Sequence, residues 1–403
     1  MKICYLNYQG GPTIKAAENN LVGGLNTILF NLICQISLRP EVEAVAVYRD
    51  DGQMATLHGR KEVKLPAGPQ TMLSRPELEL YLSEFTVAVE KYLAIYRPDV
   101  VHTSGSEAGA VMSQLRIRGM AIPWIHTNYA TVAVRRVMVD GQKSSQTSAD
   151  LIGEREKQCL IDCDQVIALS ESDKQEIAAV FPIPPGKIMV IEPGIDHKIF
   201  QPGLLTPRKK VIISAGRMSK IKDFPFLLSS FRILKQLNDT DSRLIIIGGN
   251  AFERRLLGLP QLADELGISD SLSFVDGVGQ DALAAYFRQA KVFAAHSQHE
   301  TFGLLPIEAR ACGTPFVARA NSGYLTAGQD GGGGYFCAND SERDMADKIL
   351  RIVNMEEDDW AALSQKAIAS AQAYEWSDTA EKSLFIYQQV IKNQGGMKIN
   401  KTG

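Results

Sequence analysis

VFAAHSQHETFGLLPIEARACGTPFVARANSGY, running from Val292 to Tyr324, is the stretch on which the fold turns. The run Lys291–Ala295 reads as a buried strand, His296–Thr301 as a short polar loop, the next residues as a helix, and Pro315–Ala318 as a second apolar strand. Two strands joined through a helix form one unit of a parallel sheet. Glu300 falls in the loop before the helix and Glu308 in its first turns, where Pro306 is tolerated because an early helical position needs no N–H bond. Both carboxylates can therefore face one crevice at the C-terminal edge of the sheet, where open α/β sheets bind ligands. The backbone N–H groups of Phe302, Gly303, Leu304 and Leu305 are unpaired donors at the helix start and suit an anion, and Gly303 lets it come close. Donors for phosphate between two acceptors for hydroxyls suit a nucleotide sugar: Glu300 for the sugar, the amides for the diphosphate, Glu308 for the ribose. The same residues also read as a capped helix with two solvated glutamates, so the rest of the chain decides.

With 403 residues, 45% hydrophobic and 22% charged, the chain is too long for one core and predicts two domains. Its net charge of −3, with no basic stripe, argues against nucleic acid as a partner and gives no pull toward anionic membranes. Met1–Lys2 leads straight into an apolar strand rather than a signal peptide, and no run approaches the ~20 apolar residues that cross a bilayer. A cytoplasmic protein without a transmembrane segment is expected, as a monomer or homodimer. The six cysteines are scattered; Cys159 and Cys163 stand four apart on one predicted helix with no His or third Cys nearby, so packed, reduced thiols are expected rather than a metal pair.

Strand and helix alternate from the start. KICYLNY (Lys2–Tyr8) is a strand, and a long loop then reaches Gly23 and Gly24, which open the helix LNTILFNLICQI. This is not a GxGxxG fingerprint, so a dinucleotide reading lacks support. A strand near Glu43–Tyr48, a helix from about Glu77 to Tyr96, the strand RPDVVHT and the strand in IPWIHTNYA follow, giving a doubly wound parallel sheet. Ser104, Ser106, His126, Asn128 and Tyr129 then stand at strand ends, placed to line a cleft. The polar stretch Thr131–Ser148 offers Arg135, Arg136 and Lys143 to an anionic group on an acceptor. Asp162-x-Asp164 resembles a metal-binding carboxylate pair but falls where a helix ends and a strand begins, so it reads as a turn, as does Asp239–Asp241. Pro–Gly punctuation in IEPGIDHKIFQPG (Ile191–Gly203) marks a domain junction, with domains at 1–195 and 196–375. Beyond it a second series begins, in which Gly216 makes a turn after a strand and Arg217 and Lys222 project toward the glutamate loop. A bidentate guanidinium and a point-charge ammonium suit a diphosphate. The strand end Phe274–Val278 can meet a nucleobase through its backbone. Two helices, Ser341–Val353 and Glu356–Tyr374, a last helix from Trp376 and a disordered polar tail, Lys392–Gly403, complete the chain.

At these residues the chain resembles the retaining family 4 glycosyltransferases of GT-B fold, a family that includes sucrose-phosphate synthase and inositol-phosphate N-acetylglucosaminyltransferases. GRMSKIKDFPFLL resembles the family's Gly-Arg strand end with a Lys six residues after the Gly; ETFGLLPIE resembles its Glu-x7-Glu motif; EPGIDHKIFQP resembles its linker. The resemblance implies two Rossmann-like domains facing across a cleft, an N-terminal one for the acceptor and a C-terminal one for the donor, with residues 376–403 carrying a helix that crosses back to the first. It implies Arg217 and Lys222 on the donor diphosphate, Glu300 on the transferred sugar, Glu308 on the ribose, the Phe302–Leu305 amides on phosphate and sugar, and Gly23 and Gly24 on the donor from the N-terminal domain. There are departures. Asp223 stands where many relatives have Gly or Asn, Ser322–Gly323 replaces a glycine pair, and the active-site histidine falls on Tyr129 by counting from Ile122–Pro123 or on His126 by matching the word HTN. His126 is preferred because an imidazole can orient a sugar hydroxyl near neutral pH.

The function expected is transfer of a hexosyl or N-acetylhexosaminyl group, with retention, from a nucleotide diphosphate sugar to a small polar hydroxyl acceptor. UDP is the expected base, with GDP and ADP as alternatives. No resident cofactor and no protein-bound metal are expected. The catalytic set is His126, Arg217, Lys222 and Glu300; Gly216, Val278 and the residues named above bind the donor; Ser104, Asn128, Tyr129 and Arg135 bind the acceptor. The competing readings are a lipid- or glycan-directed transferase, a phosphorylase on the same scaffold, and a nucleotide-sugar-binding protein with impaired catalysis.

Overall fold

The computed structural model describes residues 1–8, 24–50, 54–57, 60–68, 75–127, 146–203, 208–237, 241–326, 328, 331–338 and 340–399. They form two compact units: one holds the described residues up to Glu192 together with Trp376–Ile399, the other those from Pro193 to Glu375.

The first unit is built on an eight-stranded sheet of β1 (Lys2–Asn7), β2 (Glu43–Asp50), β3 (Met54–Leu57), β4 (Arg60–Pro66), β5 (Val100–Ser104), β6 (Trp124–Thr127), β7 (Gln165–Ala168) and β8 (Ile188–Val190), in the order 3-4-2-1-5-6-7-8. Every neighbouring pair is parallel except the β3–β4 hairpin at one edge. Its helices are α1 (Gly24–Ile36), α2 (Arg75–Tyr96), α3 (Ser106–Ile117), α4 (Gln146–Asp162) and α5 (Glu171–Val180). Parallel strands are buried on both faces, and β1 shows how the side chains divide. Ile3 and Tyr5 pack with Leu29, Leu32 and Ile33 of α1; Cys4 and Leu6 pack in the opposite core with residues of α2, α3 and α4, including Phe85, Met112 and Cys159.

The second unit has six parallel strands, β9 (Val211–Ala215), β10 (Arg243–Ile247), β11 (Leu272–Val275), β12 (Val292–Ala295), β13 (Phe316–Arg319) and β14 (Gly334–Cys337), in the order 11-10-9-12-13-14. The connecting helices are α6 (Phe224–Gln236), α7 (Ala251–Leu256), α8 (Leu259–Glu265), α9 (Gln280–Gln289), α10 (Leu304–Ala311), α11 (Ser322–Thr326), α12 (Glu342–Val353) and α13 (Glu357–Ala371). Strand order reverses between β1 and β5 in the first sheet and between β9 and β12 in the second. Crevices for ligands open at the C-terminal ends of strands at such reversals.

The last helix, α14 (Trp376–Ile399), returns to the first unit. Ile386, Tyr387 and Val390 join the core of α1, and the Tyr387 hydroxyl lies 2.6 Å from His102 Nδ1 and 3.2 Å from the Tyr5 hydroxyl. The expectation of a disordered tail from Lys392 is corrected: the helix continues to Ile399, and Gln394 donates to Asp164 at 2.9 Å. Three features went unread in the sequence. The β3–β4 hairpin is rich in charged residues, β14 emerges from a glycine run, and α7, α8 and α11 are short. Among the described residues no helix is long and apolar enough to cross a membrane.

Candidate active site

In the second unit the expected donor residues come to one sheet edge. Gly216 follows β9, and its N–H donates to the carbonyl of Ile247 on β10 at 3.0 Å. The next strand end is as tight: a β-carbon on Gly248 would lie 1.9 Å from the Gly216 carbonyl oxygen. Arg217 is exposed just beyond, and among the described residues it makes no ion pair. Lys222 closes the 3-10 turn Lys220–Lys222 after β9; Val278 lies in the loop between β11 and α9. Lys222 and Glu300, carried by the loops after neighbouring strands β9 and β12, form an ion pair across the strand-order reversal.

Glu300 is held by more than Lys222. Ser297 donates to its Oε1 at 2.9 Å, and the single Tyr324 O–H is shared between the same oxygen at 3.3 Å and Ser297 Oγ at 3.0 Å. Burial alone would push this carboxyl up, but the Lys222 ammonium and these hydroxyls bring it below the ordinary glutamate value. Glu300 is therefore a carboxylate at neutral pH, with its side chain 19% exposed. Ser297 and Tyr324 were not singled out from sequence. Tyr324 closes the stretch Val292–Tyr324, but nothing in its spacing marks it as a partner of Glu300.

The departures from the family pattern have local explanations. Asp223 sits at φ 52°, a left-handed conformation that Asp tolerates better than most residues, and its carboxylate takes Arg319 Nη1 at 2.7 Å. Arg319 is itself buried, lies over the Phe226 ring and also pairs with Asp340. Of the replaced glycine pair, the second position retains its glycine, where a β-carbon would stand 2.0 Å from the Glu300 carbonyl oxygen.

Helix α10 begins after Gly303, which is left-handed at φ 89° and has no side-chain cap, so the first N–H groups, at Leu304 and Leu305, are left for an anion. Phe302 is buried edge-to-face against Tyr374. Glu308, also on α10, is buried with no cation beside it among the described residues, and burial pushes its carboxyl up to about 8. Without a ligand it is a neutral acid at pH 7, not the solvated glutamate of the alternative reading.

In the first unit, Ser104 ends β5 opposite Asn7 of β1, again at the reversal. It is 2% exposed, and among the described residues its hydroxyl has no partner. Gly24 is the first residue of α1. His126 departs from the expectation of a strand-end residue facing an opening. It is 1% exposed, its Nδ1 lies 2.8 Å from Thr103 Oγ1, and it packs toward Gly109 and Cys159, where burial lowers its pKa to about 3. Alternation along β6 causes this: Trp124 and His126 share the face covered by α3 and α4. Gly23, Asn128, Tyr129, Arg135, Arg136 and Lys143 lie outside the described residues. Asp164 is taken up by Arg116 and by the Trp124 N–H at 2.7 Å, and among the described residues no three His, Cys, Asp or Glu side chains gather as a metal site requires. The described cysteines are free thiols.

Comparison with known proteins bears on the same two halves. The model of Glycosyltransferase Family 4 matches residues 22–199 and that of Glycosyl transferases group 1 matches residues 196–371. The D-inositol 3-phosphate glycosyltransferase of Kribbella flavida is 31% identical over 340 residues, 80% of this chain and 79% of that protein. The enzyme of that name from Mycolicibacterium smegmatis is 29% identical over 414 residues, covering 97% and 92%. Among solved structures, the sucrose-phosphate synthase of Thermosynechococcus elongatus superposes with a TM-score of 0.84 at 24% identity, over 98% of this chain and all of that one. Anabaena HepE, solved with UDP-glucose, gives 0.72 at 17% identity over 98% of this chain. With two parallel sheets, reversals in both and family matches across both halves, the chain belongs to the family 4 glycosyltransferases of GT-B fold.

Proposed function

We propose that this glycosyltransferase moves a hexosyl or N-acetylhexosaminyl group from a UDP-sugar to a small polar hydroxyl acceptor, retaining the anomeric configuration. The observation that carries the reading is the Lys222–Glu300 pair at the β9/β12 reversal, beside the uncapped start of α10 and the unpaired Arg217. One cation and one carboxylate fixed together suit a ligand with phosphate on one side and hydroxyls on the other. In this reading Arg217, Lys222 and the amides of Leu304 and Leu305 receive the diphosphate, Glu300 a sugar hydroxyl and Glu308 the ribose, while Gly216 and the backbone near Val278 border the nucleoside. HepE, whose structure was solved with UDP-glucose, supports UDP as the first donor to try. The relatives named for D-inositol 3-phosphate make a phosphorylated polyol the first acceptor to try. The orphaned Ser104 hydroxyl is a further polar contact available to such an acceptor.

No carboxylate in this reading attacks the sugar, so substitution proceeds on one face. The bond from the anomeric carbon to the phosphate oxygen breaks as the acceptor oxygen bonds to that carbon from the same side, and the departing phosphate oxygen takes the hydroxyl proton. The protein's part is positioning and stabilising charge on the leaving diphosphate. Each well-placed donor of this kind is worth ~3–4 kcal/mol. Arg217→Ala should therefore lower kcat by about two to three orders of magnitude while the fold persists. The test is purified protein with UDP-, GDP- and ADP-sugars and inositol phosphate, following product and its anomeric configuration by NMR. An inverted product, or full activity in Arg217→Ala, defeats the proposal.

A further inference from the structure

We infer that Tyr324 is a positioning residue for sugar recognition: with Ser297 it saturates one oxygen of Glu300 and leaves Oε2 alone to meet the transferred sugar. The inference rests on the reading that Glu300 faces the sugar. Lys222, Ser297 and Tyr324 all donate to Oε1, and none of them to Oε2. A carboxylate pinned through one oxygen keeps a fixed direction for the other. It therefore offers one acceptor, to one hydroxyl, instead of gripping a vicinal pair with both oxygens.

Tyr324 itself is fixed on every side. Its N–H donates to Asn321 Oδ1 at 3.1 Å, and Asn321 Nδ2 donates to the Ser297 carbonyl at 2.8 Å, so the loops after β12 and β13 are tied together around it. Its ring lies against Gly303, where a β-carbon would come within 2.7 Å of Cδ1. One 5%-exposed side chain thus touches both the carboxylate and the glycine that starts α10. Lys222 has a second task at the diphosphate. Tyr324 and Ser297 hold Glu300 without it, so the carboxylate keeps its direction when the ammonium turns toward phosphate.

The experiment is a double-mutant cycle of Tyr324→Phe and Glu300→Gln in the full chain, with the best UDP-sugar as donor. Removing only the hydroxyl should lower kcat/KM by about tenfold, the size expected for losing a hydrogen bond to a charged group. UDP affinity should not change. Because the hydroxyl helps hold the carboxyl down, the acid limb of the kcat/KM profile should move to higher pH in Tyr324→Phe. In the Glu300→Gln background Tyr324→Phe should add little. Parental kcat/KM and acid limb in Tyr324→Phe, or equal losses from Tyr324→Phe in both backgrounds, overturn the inference. Full activity in Glu300→Gln overturns the reading beneath it instead, which separates the two failures.

Discussion

At the scale of single residues, the two glutamates of one motif have opposite electrostatics. Glu300 has a cation and two hydroxyls and stays ionised; Glu308, eight positions further along the chain, has only burial and is held protonated, with its value pushed up to about 8. If ribose hydroxyls donate to Glu308, they favour its ionised form, so nucleotide binding must expel a proton. Calorimetric titration of UDP at pH 7 in buffers of different ionisation enthalpy should show net proton release. Glu308→Gln should abolish the buffer dependence and weaken UDP by about tenfold or more. Binding heats that are independent of buffer in the parent would remove Glu308 from the nucleoside site.

At the scale of elements, the loop after β12 is shaped by close backbone approach rather than by its polar side chains alone. The start of α11 lies against the carbonyl of Glu300, and only a glycine at position 323 permits it. Gly323→Ala should displace the Glu300 loop and reduce kcat/KM by about two orders of magnitude, comparable with the effect of losing a catalytic donor. Thermal unfolding should fall by a few degrees at most, since strand β12 and helix α10 remain buried. Undiminished activity in Gly323→Ala would show that the loop tolerates the shift. The sequence made β12, α10 and the Glu-x7-Glu spacing legible because apolar periodicity and helix-start chemistry are local. It did not reveal Tyr324 and Ser297 as partners of Glu300, or Arg319 as the partner of Asp223, since those contacts join loops from different strands. His126 is turned inward for a local reason: a residue near a strand end still obeys the two-residue alternation, and on β6 that alternation points the imidazole into the α3/α4 core.

At the scale of the whole molecule, the buried titratable groups distribute unequally between the two units, and their signs predict which unit weakens first on acidification. In the first unit His102 and His126 are held to about 3 by burial, with His126 adding to the shift at His102, so both are neutral in the fold. The stability they support is present above their ordinary value of about 6.5 and is lost as pH falls toward 3, at roughly 1.4 kcal/mol per pH unit for each. Asp173, raised by burial to about 8, runs the other way, its contribution fully present at low pH and lost as pH rises through 8; Glu192 is raised as well. Among the described residues of the second unit one shifted histidine, His296 at about 4, opposes one raised acid, Glu308, so their slopes cancel between about pH 4.5 and 6.5. Carboxylates held below their ordinary values, among them Glu43, Glu300 and Asp344, enter only below that window. Asp173 offsets one of the two histidines in this window and Glu192 part of the other, so lowering the pH from 6.5 to 4.5 should weaken the first unit by less than one histidine's slope while leaving the second nearly level. Pulse proteolysis across that range, with fragments mapped to each sheet, should find cleavage rising first within residues 24–192. His102→Gln should flatten that rise where its amide keeps the contact with Tyr387, and first cleavage within residues 208–375 would show that other groups govern acid stability.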